Sequence, residues 1–276
     1  MHVATSLRIA ANISMLYGHL PLLDRPAAAA AAGFEAVECW WPFSAPVPGD
    51  QEVDAFENAL DDAGVRLVAL NMVEGNMLAG DRGLLSSPRR QGEFLDGIDT
   101  AVGFADRTGC RVLNALYGNR EDDVDPDRQD QLALESLAAA ATAAEAIGAT
   151  VVLEAINAQE APNYPLGDAD ALRSAVDAVN AVTGLRNTRM LCDLYHHGRS
   201  GEDVPALLEF HASRIGHVQI ADTPDRGRPG SGALDYPAIF ATLQEIQYSG
   251  WIGLEYEPTR DPAIDYDWLA GWRAPR

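Results

Sequence analysis

Four apolar runs in the C-terminal half of the chain each carry one strongly polar residue near their end: Glu154 in "VVLEAI", Asp193 in "MLCDLYH", Gln219 in "HVQIAD" and Glu255 in "GLEYEP". Carboxylate and amide oxygens are hard donors, so this set suits Mg²⁺ or Mn²⁺ better than Zn²⁺, which takes more His or Cys. Carboxylates in the same place can also accept and return a proton during catalysis. Alternation along an extended strand sets Val151 and Leu153 opposite Glu154, Cys192 and Leu194 opposite Asp193, Val218 and Ile220 opposite Gln219, and Leu254 and Tyr256 opposite Glu255. The polar members of all four runs are therefore in phase. Three acids converging on one partly desolvated point repel one another by roughly several kcal/mol unless a cation or a proton relieves them. One acid at a strand end reads first as a helix N-cap or an arginine partner. Four in phase on consecutive strands read as a divalent-metal site.

The elements that must position them are short apolar runs separated by helical patterns. The runs span residues 7–13, 34–40, 66–72, 111–117, 150–156, 188–194, 215–221 and 251–256. The helical patterns are an alanine-rich stretch ending at Ala32, then 53–63, 89–107, 127–147, 169–182, 204–210, 236–246 and 263–272. Glycines punctuate them in "AAGFEAVEC", "DAGVRLVAL", "RTGCRVLNAL", "AIGATVVLEAI" and "YSGWIGLEY", where each is expected to close a helix in the left-handed conformation before the next strand. Eight strand-helix units predict parallel pairing in an α/β fold, a single (β/α)8 TIM barrel over residues 1–276, with a doubly wound open sheet as the alternative. In such a barrel the chemistry sits at the C-terminal ends of the strands.

Composition narrows the function. The 276 residues carry 41 acids against 20 bases, a formal charge of -21, and every base is Arg. Phosphate backbones need a basic footprint, which argues against nucleic acid as a partner. Cys39, Cys110 and Cys192 lie far apart in apolar runs and read as core thiols in a reducing compartment. "MHVATSLRIAANI" lacks the pattern of an export signal, and no run approaches the ~18 apolar residues of a membrane span, so a cytoplasmic protein without a membrane partner is expected. The expected partner is a small-molecule substrate, and a homo-oligomer is compatible with the sequence.

"FEAVECWWPF", "LVALNMVEGNMLAGDRG", "LEAINAQEAPNYPL", "CDLYHHG", "HVQIADTPDRGRPGSGALDYP" and "GWIGLEYEP" together resemble the hydroxypyruvate isomerase family within the xylose-isomerase-like TIM barrel superfamily. The resemblance implies metal ligands at Glu154, Asp193, Gln219 and Glu255, with Glu154 and Glu255 as the catalytic carboxylates. It implies an aldose-ketose type isomerisation of a small α-hydroxy carbonyl acid, hydroxypyruvate or a 2-oxo-tetronate, through an enediolate stabilised by Mg²⁺ or Mn²⁺, with no organic cofactor. His196, in a D-x-x-H pattern, is then a contact to a substrate oxygen, as are Arg226 to a carboxylate or hydroxyl and Glu160 in the loop after Glu154. His217, two residues before Gln219, is expected one layer deeper as a supporting or core histidine. Trp40 and Trp41 wall the pocket or cover the rim, and "GNMLAGDRG" and "GRPGSG" are loops able to close over a substrate. The chain departs from the family pattern at Glu257, where relatives commonly carry Lys, and at His197-Gly198, where they often have Met-Gln. A ketose 3-epimerase on the same barrel would usually have His as its third ligand. An endonuclease-IV-like phosphodiesterase would need a histidine-rich zinc cluster and a basic groove, and a non-catalytic sugar-binding barrel would not need the pair of glutamates.

Overall fold

Strands as short as three residues are held here by closure, because each has a hydrogen-bonded neighbour on both sides. The computed structural model describes residues 7–259 and 266–271. Its eight strands are β1 Arg8–Asn12, β2 Ala36–Cys39, β3 Arg66–Asn71, β4 Val112–Asn114, β5 Thr150–Glu154, β6 Thr188–Asp193, β7 Ile215–Ile220 and β8 Trp251–Leu254. They pair in sequence order, and β8 returns to β1, giving a closed barrel whose pairs are all parallel. The (β/α)8 expectation is met and the open sheet is not. Around the barrel lie α1 Arg25–Ala31, α2 Asp50–Ala63, α3 Gln91–Thr108, α4 Pro126–Glu145, α5 Ala169–Thr183, α6 Leu194–Arg199, α7 Val204–His211 and α8 Tyr236–Glu245. None of the described helices is long and apolar enough to cross a membrane.

Local chemistry explains the boundaries. Asp125, Asp168, Asp203 and Asp235 cap α4, α5, α7 and α8 through side-chain oxygens, and Pro occupies the first turn of three of these helices. Part of the acidic surplus is thus spent on helix starts. Gly33, Gly64, Gly109 and Gly148 take positive φ as expected. Gly250 does not; Gln247 takes the left-handed turn instead, at φ 57°, and Gly250 makes room for the Tyr248 ring. Helix α6 starts directly on Asp193, where no helix is expected from the sequence, because that acid caps it. The last helical pattern, 263–272, falls partly outside the described residues; a 3₁₀ turn spans Asp267–Gly271.

Register brings the polar residues together. Asp193 pairs with Gln219 across β6 and β7, and Gln219 pairs with Gly253 across β7 and β8. The apolar partners Val151, Leu153, Cys192, Leu194, Val218, Ile220, Leu254 and Tyr256 are all buried in one hydrophobic core. Gly253 marks the tightest point of the barrel, since a Cβ there would lie 2.1 Å from Glu38 Oε2. Gly253→Ala should therefore destabilise the protein by about 1–3 kcal/mol, as overpacking does. Gly103→Ala, on an exposed turn of α3 with nothing within 4 Å, should stabilise by about 0.5–1 kcal/mol. Thermal unfolding of the two variants checks the contrast, and equal shifts would show that Glu38 yields.

Candidate active site

All four in-phase residues are buried at the C-terminal mouth of the barrel. Glu255 lies one residue beyond β8 rather than inside the strand, yet its N–H still donates to Ile220 O at 3.1 Å, so the backbone remains pinned to β7. Asp193 divides its two oxygens. Oδ1 accepts from Tyr195 N at 2.9 Å as the cap of α6, and Oδ2 accepts from Arg226 Nη2 at 3.2 Å. The two ordinary roles of a strand-end acid are thus both present, within a larger cluster. Burial, followed by the charges of Glu255 and Asp193, holds the Glu154 carboxyl well above its usual range. Burial also raises Glu255, against the opposing pull of Arg226.

Arg226 is the counter-ion of this cluster. Its Nη2 is 2.6 Å from Glu255 Oε2, its Nη1 is 3.6 Å from Glu160 Oε2, and its guanidinium lies over the Tyr195 ring at 4.9 Å. Burial works against its charge, but the surrounding carboxylates outweigh it and keep its pKa above the ordinary value. The loop that carries it is built on Asp222, whose carboxylate accepts from the backbone N–H groups of Thr223, Gly230, Gly232 and Leu234. Arg226 itself sits at φ 53°, a left-handed conformation costing on the order of 1 kcal/mol or more in a non-glycine residue, which the ion pairs offset.

His196 is buried beside the acids, with Nε2 3.6 Å from both Glu154 Oε1 and Asp193 Oδ2, while Asn157 N–H points at its Nδ1. Burial and the Arg226 charge lower its pKa well below the usual value, which favours the neutral imidazole. Glu160 stands at the exposed rim and accepts from the Tyr195 hydroxyl. Two flagged positions lead elsewhere. His197 pairs with Glu202 at 2.6 Å rather than lining the cavity, and Gly198 packs closely under Leu234. Arg228 pairs with Asp267.

The structure adds a supporting layer that sequence reasoning missed. Glu38, from β2, accepts from Gln219 Nε2 at 2.7 Å and from Asn12 Nδ2 at 3.0 Å, and His217 Nε2 lies 2.6 Å from its other oxygen. His217 is thus the deeper, supporting histidine expected. Asn12 also donates to Glu255 Oε1 at 3.0 Å, where the Trp40 indole N–H joins it at 2.8 Å. Asn114 donates to Glu154 Oε2 and to Asn71 Oδ1, and Asn71 in turn donates to Glu74. Asn12, Glu38, Asn71 and Asn114 occupy the ends of β1 to β4, so the rule applied to the last four strands, extended to the first four, would have found them.

The cavity above this layer has a volume of about 450 Å³ and is lined by Glu154, Glu160, His196, Arg226, Glu255 and Arg82 among others. Trp40, Met77 and Glu257 also border a second cavity of about 770 Å³ beside it. Glu154, Asp193 and His196 offer donor atoms within 4.8 Å of one another, a grouping that fits a divalent metal ion. One further atom points the same way: Gln219 Oε1 is buried without a hydrogen-bond partner because its amide nitrogen is committed to Glu38. Glu38 therefore decides which end of the amide is left to act as a donor of electrons. Glu38→Gln lets that amide turn over, and Mn²⁺ affinity measured by calorimetry should fall about 10- to 100-fold with the fold intact; unchanged affinity would remove Glu38 from the metal-supporting layer.

The xylose isomerase-like TIM barrel family model matches residues 26–273. A protein of Streptomyces coelicolor named "Putative hydroxypyruvate isomerase" is 51% identical over 98% of each chain. The 2-oxo-tetronate isomerase of Cupriavidus necator is 36% identical over 95% of this chain and 97% of its own. A solved structure from Brucella melitensis, titled AP endonuclease, family 2, is 32% identical, covers 97% of this chain and 100% of its own, and superposes with a TM-score of 0.87. The acids, the barrel that carries them and these full-length similarities agree: the chain is an isomerase that belongs to the hydroxypyruvate isomerase family of xylose isomerase-like TIM barrels.

Proposed function

We propose that the protein interconverts small α-hydroxy keto acids of the hydroxypyruvate and 2-oxo-tetronate kind, exchanging carbonyl and hydroxyl between neighbouring carbons. The observation that carries this reading is one cavity lined by two supported glutamates, Glu154 and Glu255, on opposite flanks of Asp193 and Gln219 in strand order. A divalent ion, Mg²⁺ or Mn²⁺, held by Glu154, Asp193, Gln219 and Glu255 would supply Lewis acidity to the substrate oxygens. His196, within the same donor group, stands ready as a ligand or as a contact to a substrate oxygen.

The chain's own residues do the rest. One glutamate takes the proton from the hydroxyl-bearing carbon and the neighbouring carbon regains one, while the hydroxyl proton passes to the former carbonyl oxygen, so that the enediolate formed between them collapses to the isomer without net oxidation. Each glutamate has one oxygen held by neutral donors, Asn114 for Glu154 and Asn12 with Trp40 for Glu255. Such donors fix a carboxylate without cancelling its charge. Arg226 and Glu160 meet substrate oxygens at the rim, and Trp40 and Met77 in the cavity wall add apolar surface that limits water.

The second cavity beside the first favours room for a four-carbon acid as well as a three-carbon one. An epimerase reading is weakened by Gln219 at the third ligand position. A phosphodiesterase reading is weakened by the net charge of -21 and by a cavity in whose lining acids outnumber arginines.

A screen of 2-keto acids, aldehyde acids and free ketoses with Mg²⁺ or Mn²⁺, followed by NMR, should show hydroxypyruvate or a 2-oxo-tetronate converted to its isomer. Preference for neutral ketoses would move the protein to the sugar isomerases or epimerases. Glu154→Gln and Glu255→Gln should each keep the fold, lose turnover by a factor of about 10² or more, and abolish deuterium uptake from solvent at the reacting carbon. Asp193→Asn should abolish the rise in melting temperature produced by Mn²⁺. A glutamate variant with near wild-type activity is structural.

A further inference from the structure

The loop after β3 carries an arginine that no role above absorbs. Arg82 lines the 450 Å³ cavity together with Glu154, Glu160, His196, Arg226 and Glu255. Its backbone is fixed: Gly118 N donates to Arg82 O at 2.9 Å, and Gly83, at φ 101°, presses so closely on Leu116 O that a Cβ would lie 1.9 Å away. Its side chain, by contrast, makes no ion pair among the described residues, although its charge is also felt by the buried Glu74 carboxyl. Among the described residues it donates only from Nη1, to Met77 O at 3.2 Å and Asp81 O at 2.7 Å, which leaves Nε and Nη2 without partners. The adjacent carboxylate cannot neutralise it, because Asp81 is taken by Arg90 at 2.6 Å and by Asn76 N at 2.7 Å. Its charge is felt within the site, where it contributes to lowering the His196 pKa.

Arg226 is in the opposite state. Its guanidinium is shared among Glu255, Asp193 and Glu160. With Glu154 added, these carboxylates outnumber the positive charges of Arg226 and a divalent ion combined, and Glu257 stands at the rim as another acid. An anionic substrate entering such a cavity needs a cation not already balanced, and in a chain without lysine it must be an arginine.

We propose that Arg82 binds the substrate carboxylate through Nε and Nη2 and is the residue that selects keto acids over neutral ketoses. The proposal rests on the isomerase reading for its substrate, but not for its anion-binding chemistry.

The test compares wild type, Arg82→Gln and Arg82→Lys in the presence of Mn²⁺. Calorimetry with glycerate, an acid that cannot isomerise, and with glycerol, its neutral counterpart, measures binding apart from turnover. Kinetics with hydroxypyruvate and dihydroxyacetone measures selectivity. Arg82→Gln should weaken glycerate about 10- to 100-fold and raise the hydroxypyruvate KM by a similar factor, with kcat changed only a few-fold. Arg82→Lys should recover part of the loss, since it restores charge without the bidentate fork. Glycerol binding, and any turnover of dihydroxyacetone, should not change. Glycerate binding within twofold of wild type in Arg82→Gln, no glycerate binding by the wild type, or equal losses for charged and neutral ligands would each overturn the proposal. Turnover of hydroxypyruvate alongside such a result would leave the isomerase reading standing. Arg82-dependent glycerate binding without any keto-acid turnover would sink the isomerase reading and keep the anion site.

Discussion

Several carboxylates are buried at one end of one barrel, and the rest of the structure answers to that constraint. Glu154, Asp193 and Glu255 come from β5, from β6 and from the residue after β8, and closure of the sheet leaves them no way to separate. Desolvation and mutual repulsion raise all three carboxyls. Arg226 lies between two of them, at a cost in backbone conformation that only a strongly favourable pairing can sustain. Two of these acids, Glu154 and Asp193, form with His196 a grouping that fits a divalent metal ion.

Rigidity comes from the other half of the barrel. The polar ends of β1 to β4, Asn12, Glu38, Asn71 and Asn114, do not gather as a donor cluster; they hold the residues that do. Three of the four, Asn12, Asn71 and Asn114, are amides, which donate a hydrogen bond without adding charge to a site already crowded with it. The layout divides the barrel into a half that carries the converging acids and a half that supports them, joined at the seam where β1 meets β8 by Asn12 and Glu255. Holding one oxygen of Glu154 and one of Glu255 in this way limits how far either buried carboxylate can reorient.

The fold was legible, and so was the convergence of the four polar residues at the barrel mouth, because both are written in local periodicity. Strand runs alternate, helices end in glycine or begin at aspartate, and Glu154, Asp193 and Gln219 occur at the same phase of successive runs. Glu255 was legible in phase, although its strand ends one residue earlier. What stayed hidden depends on distances between elements remote in sequence. Glu38 sits 181 positions from Gln219, and although its phase in "FEAVEC" turns it toward the barrel mouth, nothing in that run says which side chain it meets there. That Arg226 is ion-paired and Arg82, among the described residues, is not was hidden for the same reason, since both are arginines in glycine-bearing loops and differ only in which carboxylates fold back to meet them. His197 was a sequence departure that changed no cavity wall, because α6 turns it toward Glu202.

Glu38 also constrains what position 219 can be. Its carboxylate lies 2.7 Å from the Gln219 amide nitrogen, and the Gly253 backbone behind it leaves no room to retreat. A glutamate at 219 would set two carboxylates in contact without a donor between them, adding repulsion to a cluster that already carries too much. An aliphatic residue would strip Glu38 of a hydrogen bond and leave a buried acceptor short of a partner. The side chains that satisfy the site are those able to donate on one side while presenting a lone pair on the other, and glutamine and the neutral imidazole of histidine both do so. Gln219 is therefore the answer to two demands at once, one from Glu38 beneath it and one from the carboxylate cluster above. An amide and a neutral imidazole at this position differ in the lone pair they present, on oxygen or on the softer nitrogen, while each has an N–H to offer Glu38.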